Sequence, residues 1–302
     1  MSRDPAELGQ AIDRAAHRRT DEAWLADAWT RSRVLLVDDG RALVTGDPPR
    51  LVLVSPDSAP DGERLFLGVD GDGVPYFAVA GSLPEMDGAS RVTLRQVGAL
   101  LSRRDADLLA TAVGLANWHR RYRYSPATGE PTVVTDGGWV RRTPDGSEVV
   151  FPRTDPAVIV LVHDGQPGDG GRALLGRGVG WPEGRFACLA GFVEPGESAE
   201  ATVRREIAEE VGITVHDVRY VTSQPWPFPG SLMLAFTALA DPDQPVVPDG
   251  GEMAEARWFS RPELRELWKA RAPITSSVGY HLMSGWLEYA PPFRIGDAED
   301  TR

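Results

Sequence analysis

Short apolar runs separated by Asp-Gly turns dominate the first third of the chain. Val34, Leu35, Leu36 and Val37 are followed by the turn pair Asp39-Gly40, then by Ala42, Leu43 and Val44, and residues 51–54 form another apolar run. Asp70-Gly71-Asp72-Gly73 separates the runs 65–69 and 76–79 in the same way, so the spacing predicts strands joined by hairpin-type turns. From 94 to 120 the period lengthens, with Leu100, Leu101, Leu108, Leu109 and Val113 returning on one face, which predicts a helix. Residues 121–150, rich in Gly, Pro, Thr and Arg, carry turn signals at 126–129 and 144–146 and read as a connecting module. Beyond it the pattern predicts strands over 157–162, 172–175 and 186–190, a helix over 199–211, strands over 218–221, 231–240 and 256–259, and an amphipathic helix over 276–289. A polar, acidic tail occupies 294–302.

This order of elements predicts an α+β protein with an N-terminal α+β domain over 1–120, the module over 121–152, a second domain over 153–292 and a flexible tail over 293–302. A chain of 302 residues is long enough for two cores. Composition adds exclusions. An apolar fraction of 42% and a charged fraction of 25% are those of a globular protein. The net charge of -12 argues against sequence-independent binding to nucleic acid or an anionic membrane, which requires a basic face. The N-terminus lacks signal-peptide order and no run approaches the ~18 apolar residues of a membrane span, so the cytoplasm is expected. Cys188 is the only cysteine, which excludes an internal disulfide and a thiolate zinc cluster, and its apolar neighbours at 186–190 favour a packing role.

Candidate chemistry concentrates on the helix predicted over 199–211. Glu206, Glu209 and Glu210 stand at i, i+3 and i+4, spacings that project from one helical face, where like charges repel unless a cation sits among them. Hard oxygen donors in that array suit Mg²⁺ or Mn²⁺, which keep waters and share phosphate oxygens with a substrate. Alone, such a stretch reads more simply as a solvated face. The upstream turn, from Gly191 to Glu197, changes that reading. Gly191, Glu197, Arg205, Glu206, Ile207, Glu209, Glu210, Gly212 and Ile213 fill all nine specified positions of the pattern GX5EX7REUXEEXGU, and residues 191–213 thereby resemble the box of the Nudix hydrolases.

The resemblance implies a C-terminal α/β/α sandwich with a mixed sheet and cleavage of a nucleoside diphosphate linkage by two or more Mg²⁺ or Mn²⁺ ions. It implies that Glu206 and Glu210 ligate metal, with Glu209 a further ligand or water-orienting carboxylate, joined by the Ala190 carbonyl and by Glu252. Glu197 would pair with Arg205 and brace the loop against the helix. Glu210 would help remove the proton of the attacking water.

Specificity is sought outside the box. Ser223-Gln224-Pro225-Trp226-Pro227-Phe228-Pro229-Gly230-Ser231 is a proline-stiffened loop whose aromatic residues can either pack inward or stack on a heterocycle. The segment resembles the SQPWPFPxS array of NADH pyrophosphatases within the Nudix hydrolases, which implies NADH or NAD⁺ as substrate and extends to NAD-capped RNA 5′ ends. Phe151, Ile159 and Phe192 would line the base pocket, completed across a homodimer by Gln224, Trp226, Ser231 and Met233, and Gly279 stands where relatives usually carry alanine. The first 120 residues would be the NADH-pyrophosphatase-like N-terminal domain. Where that family commonly has four zinc-binding thiols, Ser125, Thr128, Thr143 and Gly146 stand instead, so a metal-free ribbon remnant without structural zinc, packed around Trp139, is expected. Two other readings remain at this stage: a broader hydrolase of ADP-ribose or dinucleoside polyphosphates, and an NAD(H) sensor that binds without turnover.

Overall fold

A computed structural model describes residues 9–270 and 274–288. Tyr289, the predicted end of the last helix, and the tail over 294–302 lie outside the described residues. The described residues divide into two compact units, one comprising 9–154 with 225–231 and the other 155–224 with 232–288.

In the first unit, a four-stranded sheet runs in the order Leu53–Val54, Arg33–Val37, Pro75–Ala80, Arg64–Val69. Its central pair is parallel and its outer pairings are antiparallel. Alternation along Arg33–Val37 sends Leu35 and Val37 into a core with Leu108, Leu109, Ala112 and Val113 of the helix Arg103–Arg121, and Val34 and Leu36 into a second cluster with Val79 and Leu83. The apolar run over 51–54 is therefore two short strands. Arg50–Leu51 joins Arg41–Thr45 in a separate three-stranded sheet closed by Ala89–Thr93, while Leu53–Val54 stays with Arg33–Val37.

The helix predicted over 94–120 is broken. Leu94–Val97 ends at Gly98, and Arg103–Arg121 restarts where the Ser102 hydroxyl accepts from Asp105 N and caps the new first turn. Helix Glu22–Thr30 and strand Ala89–Thr93 had no clear apolar period: only Ala28 of the helix is fully buried, and no residue of the strand is.

The connecting module folds as a three-stranded antiparallel sheet of Val133–Thr135, Val140–Arg142 and Val149–Val150. Its two polar turns are closed by buried hydroxyls. Ser125 Oγ accepts from Ala127 N at 3.1 Å and Thr128 N at 3.2 Å, while Thr143 Oγ1 accepts from Glu148 N at 3.0 Å and donates to Asp145 at 2.7 Å. Thr128 and Gly146 are exposed. Trp139 donates from Nε1 to the Phe66 carbonyl at 2.7 Å, and Arg19 lies 3.6 Å over its ring.

The second unit is an α/β/α sandwich around a six-stranded sheet ordered His216–Trp226, Ser231–Leu239, Asp155–His163, Arg172–Gly178, Met253–Ser260, with Leu189–Phe192 pairing separately on Asp155–His163. Antiparallel pairs join Asp155–His163 to Arg172–Gly178 and to Leu189–Phe192, and Arg172–Gly178 to Met253–Ser260. Ala240 N donates to the His163 carbonyl at 3.1 Å, so Ser231–Leu239 and its neighbour Asp155–His163 end together and run parallel; the sheet is mixed.

The continuous apolar run in Asp155–His163 follows from burial of both faces. Val158, Val160 and Val162 face a core with Val203, Ile207 and Val211 of helix Ala199–Val211, whereas Leu161 faces Leu264 of Arg261–Ala270 and Leu282 and Trp286 of Val278–Leu287. Cys188 is buried on this second side, where loss of solvation pushes its thiol up to about 12, so it is a neutral packing group. The strand expected over 186–190 is displaced to Leu189–Phe192, its register fixed by Ile159 opposite Ala190 and Val158 opposite Gly191. Among the described residues no helix is long and apolar enough to cross a membrane.

Candidate active site

Helix Ala199–Val211 positions the box carboxylates. Ser198 caps its start by accepting from Ala201 N, and Gly212 ends it in the left-handed region at φ 73°, with its N–H on the Ala208 carbonyl. That conformation accounts for the box's last glycine, because a side chain is strained there. Val203, Ile207 and Val211, spaced by four, seat the helix on the sheet. Glu206 and Glu210, also four apart, are thereby turned inward with 13% and 7% exposure, while Glu209 stays 61% exposed on the outer edge.

Gly191 lies under this helix. A β-carbon built on it would overlap the Glu206 carboxyl group, and its φ is not in the left-handed region. The first box glycine is needed for close approach, not for backbone freedom. Its neighbour Phe192 is 58% exposed, and the Phe192 carbonyl accepts from Arg205 Nη2 at 2.9 Å.

Arg205 ties the turn to the helix. It meets Glu197 with two parallel hydrogen bonds of 2.7 and 2.9 Å, and its Nη1 donates to Glu206 at 3.0 Å and Glu209 at 2.9 Å. This fork matches carboxylate geometry and holds Glu197 down at about 2, chiefly through the Arg205 hydrogen bonds. Glu197 also accepts from Glu194 N and Thr202 Oγ1, so one carboxylate closes the loop on itself and on the helix.

Glu210 is in the opposite electrostatic state. Burial, and then the charges of Glu206, Glu252 and Asp249, push its carboxyl group up to about 8, and its buried Oε2 has no hydrogen-bond partner. Burial also raises Glu206, against the pull of Arg205. Glu252 precedes strand Met253–Ser260 in a turn organised by Asp249, whose carboxylate accepts from Glu252 N at 3.1 Å and Met253 N at 2.8 Å. Asp249 N in turn donates to the Glu210 carbonyl at 3.0 Å. Asp249 escaped the sequence reading, although Asp before Gly250-Gly251 is a turn signature.

A hard divalent cation fits these residues. An orphaned, buried carboxylate oxygen beside further carboxylates is costly without a positive partner, and an all-oxygen donor set is what Mg²⁺ or Mn²⁺ prefers. Among the described residues no three His, Cys, Asp or Glu side chains form a metal-holding group by themselves.

The residues expected to line a base pocket fall into two sets. In the second unit, Gln224 is buried and its amide donates to the Ser276 carbonyl at 2.7 Å and accepts from Val278 N at 2.7 Å, which anchors the start of helix Val278–Leu287. Gly279 follows, and a β-carbon there would stand 3.2 Å from Ile159 Cδ1, a tight contact; Ile159 and the partly buried Met233 pack on the same core. In the first unit, Phe151 is 64% exposed, Ser231 is buried, and Trp226 lines a cavity of about 150 Å³ together with Trp139, Arg153 and Ser231.

The fold and the carboxylate helix define the class. A model described as NUDIX domain matches residues 153–278, and one described as NADH pyrophosphatase-like rudimentary NUDIX domain matches residues 31–118. The chain is 41% identical over 285 residues to the "NAD-capped RNA hydrolase NudC" of Mycobacterium tuberculosis H37Rv, covering 92% of this chain and 90% of that one. It is 36% identical over 245 residues to the human "NAD(P)H pyrophosphatase NUDT13, mitochondrial", covering 74% and 67%. The chain belongs to the Nudix hydrolase family and is an enzyme of its NADH pyrophosphatase group. A solved NUDIX hydrolase from Nitrosomonas europaea superposes with a TM-score of 0.44 at 20% identity over 55% of this chain and 90% of that one.

Proposed function

We propose that this enzyme hydrolyses the pyrophosphate bond of NADH and NAD⁺ to nicotinamide mononucleotide, reduced or oxidised, and AMP, and that it removes NAD caps from RNA 5′ ends. The observation that carries the reading is the buried Glu210 carboxylate with an oxygen lacking any partner, set beside Glu206 within an intact box. The activities for which the mycobacterial and human relatives are named support the substrate.

Water attacks one phosphorus of the diphosphate and the bridging oxygen leaves with the other phosphate. Glu206, Glu209, Glu210, Glu252 and the Ala190 carbonyl are assigned to two or more Mg²⁺ or Mn²⁺ ions. Such ions neutralise the diphosphate charge and acidify water when bound. Glu210 is assigned to help remove the proton that the attacking water loses. Arg205 and Glu197 hold Gly191, Phe192 and the helix in fixed relation while charge moves. Phe151, Ile159, Phe192, Gln224, Trp226, Ser231, Met233 and Gly279 are assigned to the dinucleotide, with Trp226 stacking on nicotinamide and the pocket completed in a homodimer.

The same reading divides the chain at 120, 152 and 292, leaves the 121–152 module without zinc and places the enzyme in the cytoplasm. Ser125 and Thr143 support the zinc assignment, because each hydroxyl is already engaged with turn groups and neither is a structural zinc donor.

The test is product analysis of NADH, NAD⁺ and NAD-capped RNA with Mg²⁺, with Mn²⁺ and with EDTA, beside Glu210→Gln. Equal amounts of mononucleotide and AMP from the metal-loaded wild type alone are expected. Cleavage that persists in EDTA, or that survives Glu210→Gln undiminished, would refute the assignment.

A further inference from the structure

Three prolines in the segment 225–229 remove three N–H donors from the loop assigned above to the nicotinamide. The N–H that Phe228 retains serves the Trp226 carbonyl at 2.7 Å, so donors for the Pro227 and Pro229 carbonyls must come from elsewhere. They come from one side chain. Asn117, 8% exposed on helix Arg103–Arg121, donates from Nδ2 to the Pro227 carbonyl at 2.9 Å and to the Pro229 carbonyl at 3.2 Å, so the two N–H groups of a single amide serve the two carbonyls that flank Phe228. The amide's orientation is set from behind: Arg120 Nη2 donates to Asn117 Oδ1 at 3.1 Å, and Arg120 Nη1 donates to Asp39 at 2.7 Å. With its oxygen engaged by a guanidinium, the amide presents only N–H to the loop.

The aromatic residues are held by a second cation. Arg95 lies 4.9 Å from the Trp226 ring centroid and 4.9 Å from that of Phe228, and the two rings meet edge to face at 5.3 Å. Gly114, one turn before Asn117, faces the same loop loosely, since a β-carbon there would lie 3.7 Å from Pro227 Cβ, an ordinary contact.

We infer that Asn117, supported by Arg120 and Arg95, is a positioning residue that sets the Trp226 ring for the dinucleotide and thereby tunes selectivity for nicotinamide. This rests on the reading that the 223–231 loop binds the nicotinamide. It gives the N-terminal half of the chain a part in substrate selection without any residue of its own in the chemistry.

The experiment compares Asn117→Ala and the isosteric Asn117→Asp with wild type, using NADH and, as a substrate without nicotinamide, ADP-ribose. NADH binding is followed by fluorescence titration in EDTA and turnover by steady-state kinetics in Mg²⁺. Loss of the two Asn117 hydrogen bonds is expected to weaken NADH binding and raise its KM about tenfold, with kcat within about twofold and ADP-ribose hydrolysis unchanged. Asn117→Asp keeps the volume and removes both donors, so wild-type NADH binding in that variant overturns the inference. If neither variant folds, Arg120→Met decides: a rise of about threefold in NADH KM is expected, and no change overturns the inference. Gly114→Ala, on the same helix face, should behave as wild type. Trp226→Ala separates two failures. A wild-type NADH KM in Trp226→Ala refutes the loop reading and this inference with it, whereas a raised KM there beside wild-type values in Asn117→Asp refutes this inference alone.

Discussion

Replacing Glu210 by Gln should make the metal-free enzyme more stable while making it inactive. In the folded chain burial and the charges of Glu206, Glu252 and Asp249 push Glu210 up to about 8, against an ordinary value of 4.5. The unfolded chain thus releases this proton near pH 4.5 and the folded chain near pH 8. The folded state binds the proton more tightly, so Glu210 does not reduce stability below pH 4.5, reduces it progressively as pH rises through that window, and reduces it fully above pH 8. At about 1.4 kcal/mol per pH unit the gap amounts to roughly 5 kcal/mol, an upper value because Glu206 shares the same field. A glutamine is neutral at every pH and its amide can donate to the neighbouring carboxylates. Glu210→Gln should therefore gain about 2 to 5 kcal/mol over wild type at pH 8.5 in EDTA, seen as a rise of about 5 to 10 °C in the unfolding midpoint. The gain should fall below about 1 kcal/mol near pH 5 and vanish below pH 4.5. Excess Mg²⁺ should raise the wild-type midpoint and leave the variant almost unmoved, since a cation that binds only the folded state stabilises it by mass action. The assay is a set of thermal melts of both proteins across pH 5 to about 9, with and without metal. A variant that melts at or below wild type at pH 8.5 in EDTA would mean that burial does not strain the Glu210 charge, and would refute Glu210 as a carboxylate held ready for a cation.

Gly191→Ala is expected to keep the fold, because Gly191 has no left-handed φ, but to push Glu206 aside and lower kcat at least about 100-fold; a far-ultraviolet circular dichroism melt beside the turnover assay checks both halves. His163 is buried and held down to about 4 mainly by lost solvation, with its Nδ1 accepting from Gly165 N, so it contributes stability that is complete above pH 6.5 and is lost as pH falls from 6.5 toward about 4. That loss should approach 3 kcal/mol by order of magnitude and be reduced in His163→Gln, as read from urea midpoints at successive pH values. Ser125→Ala and Thr143→Ala should each cost about 1 to 2 kcal/mol by leaving turn N–H groups unpaired, and neither wild-type stability nor activity in Mg²⁺ should change after zinc-selective chelation; stoichiometric zinc in chelator-washed protein would contradict this.

Much of the architecture was readable in the chain because its driving forces are local and periodic. The uninterrupted apolar run inside Asp155–His163 shows in advance that both faces are covered, and the spacing of Val203, Ile207 and Val211 fixes which side of the box helix meets the sheet. The same spacing limits what could be inferred about the glutamates. Positions i, i+3 and i+4 share a face in projection, yet the sheet lies to one side of it, so Glu206 and Glu210 turn inward and Glu209 remains in solvent. A helical pattern gives direction around an axis; where the neighbouring layer begins depends on tertiary packing.

Features that were not readable depend on pairings far apart in sequence. The split of 51–54 between two sheets follows from which strands stand beside each half, 33–37 and 41–45, and nothing within four apolar residues records it. Asp249 and Asn117 are ordinary polar residues in the sequence, one in a glycine-rich turn and one within a helix. Their roles arise because each satisfies backbone groups that chemistry elsewhere has left bare: the N–H groups of a tight turn before Met253, and carbonyls beside prolines that have no N–H to offer. The proline-rich loop did contain half of that information. A run alternating proline with aromatic residues states that carbonyls will need donors from outside it, and the fold supplies an amide whose two N–H groups match the two carbonyls. A segment stiffened by proline therefore indicates a complementary donor elsewhere in the chain, and here the donor lies on the longest described helix, in the half that shows no catalytic pattern of its own.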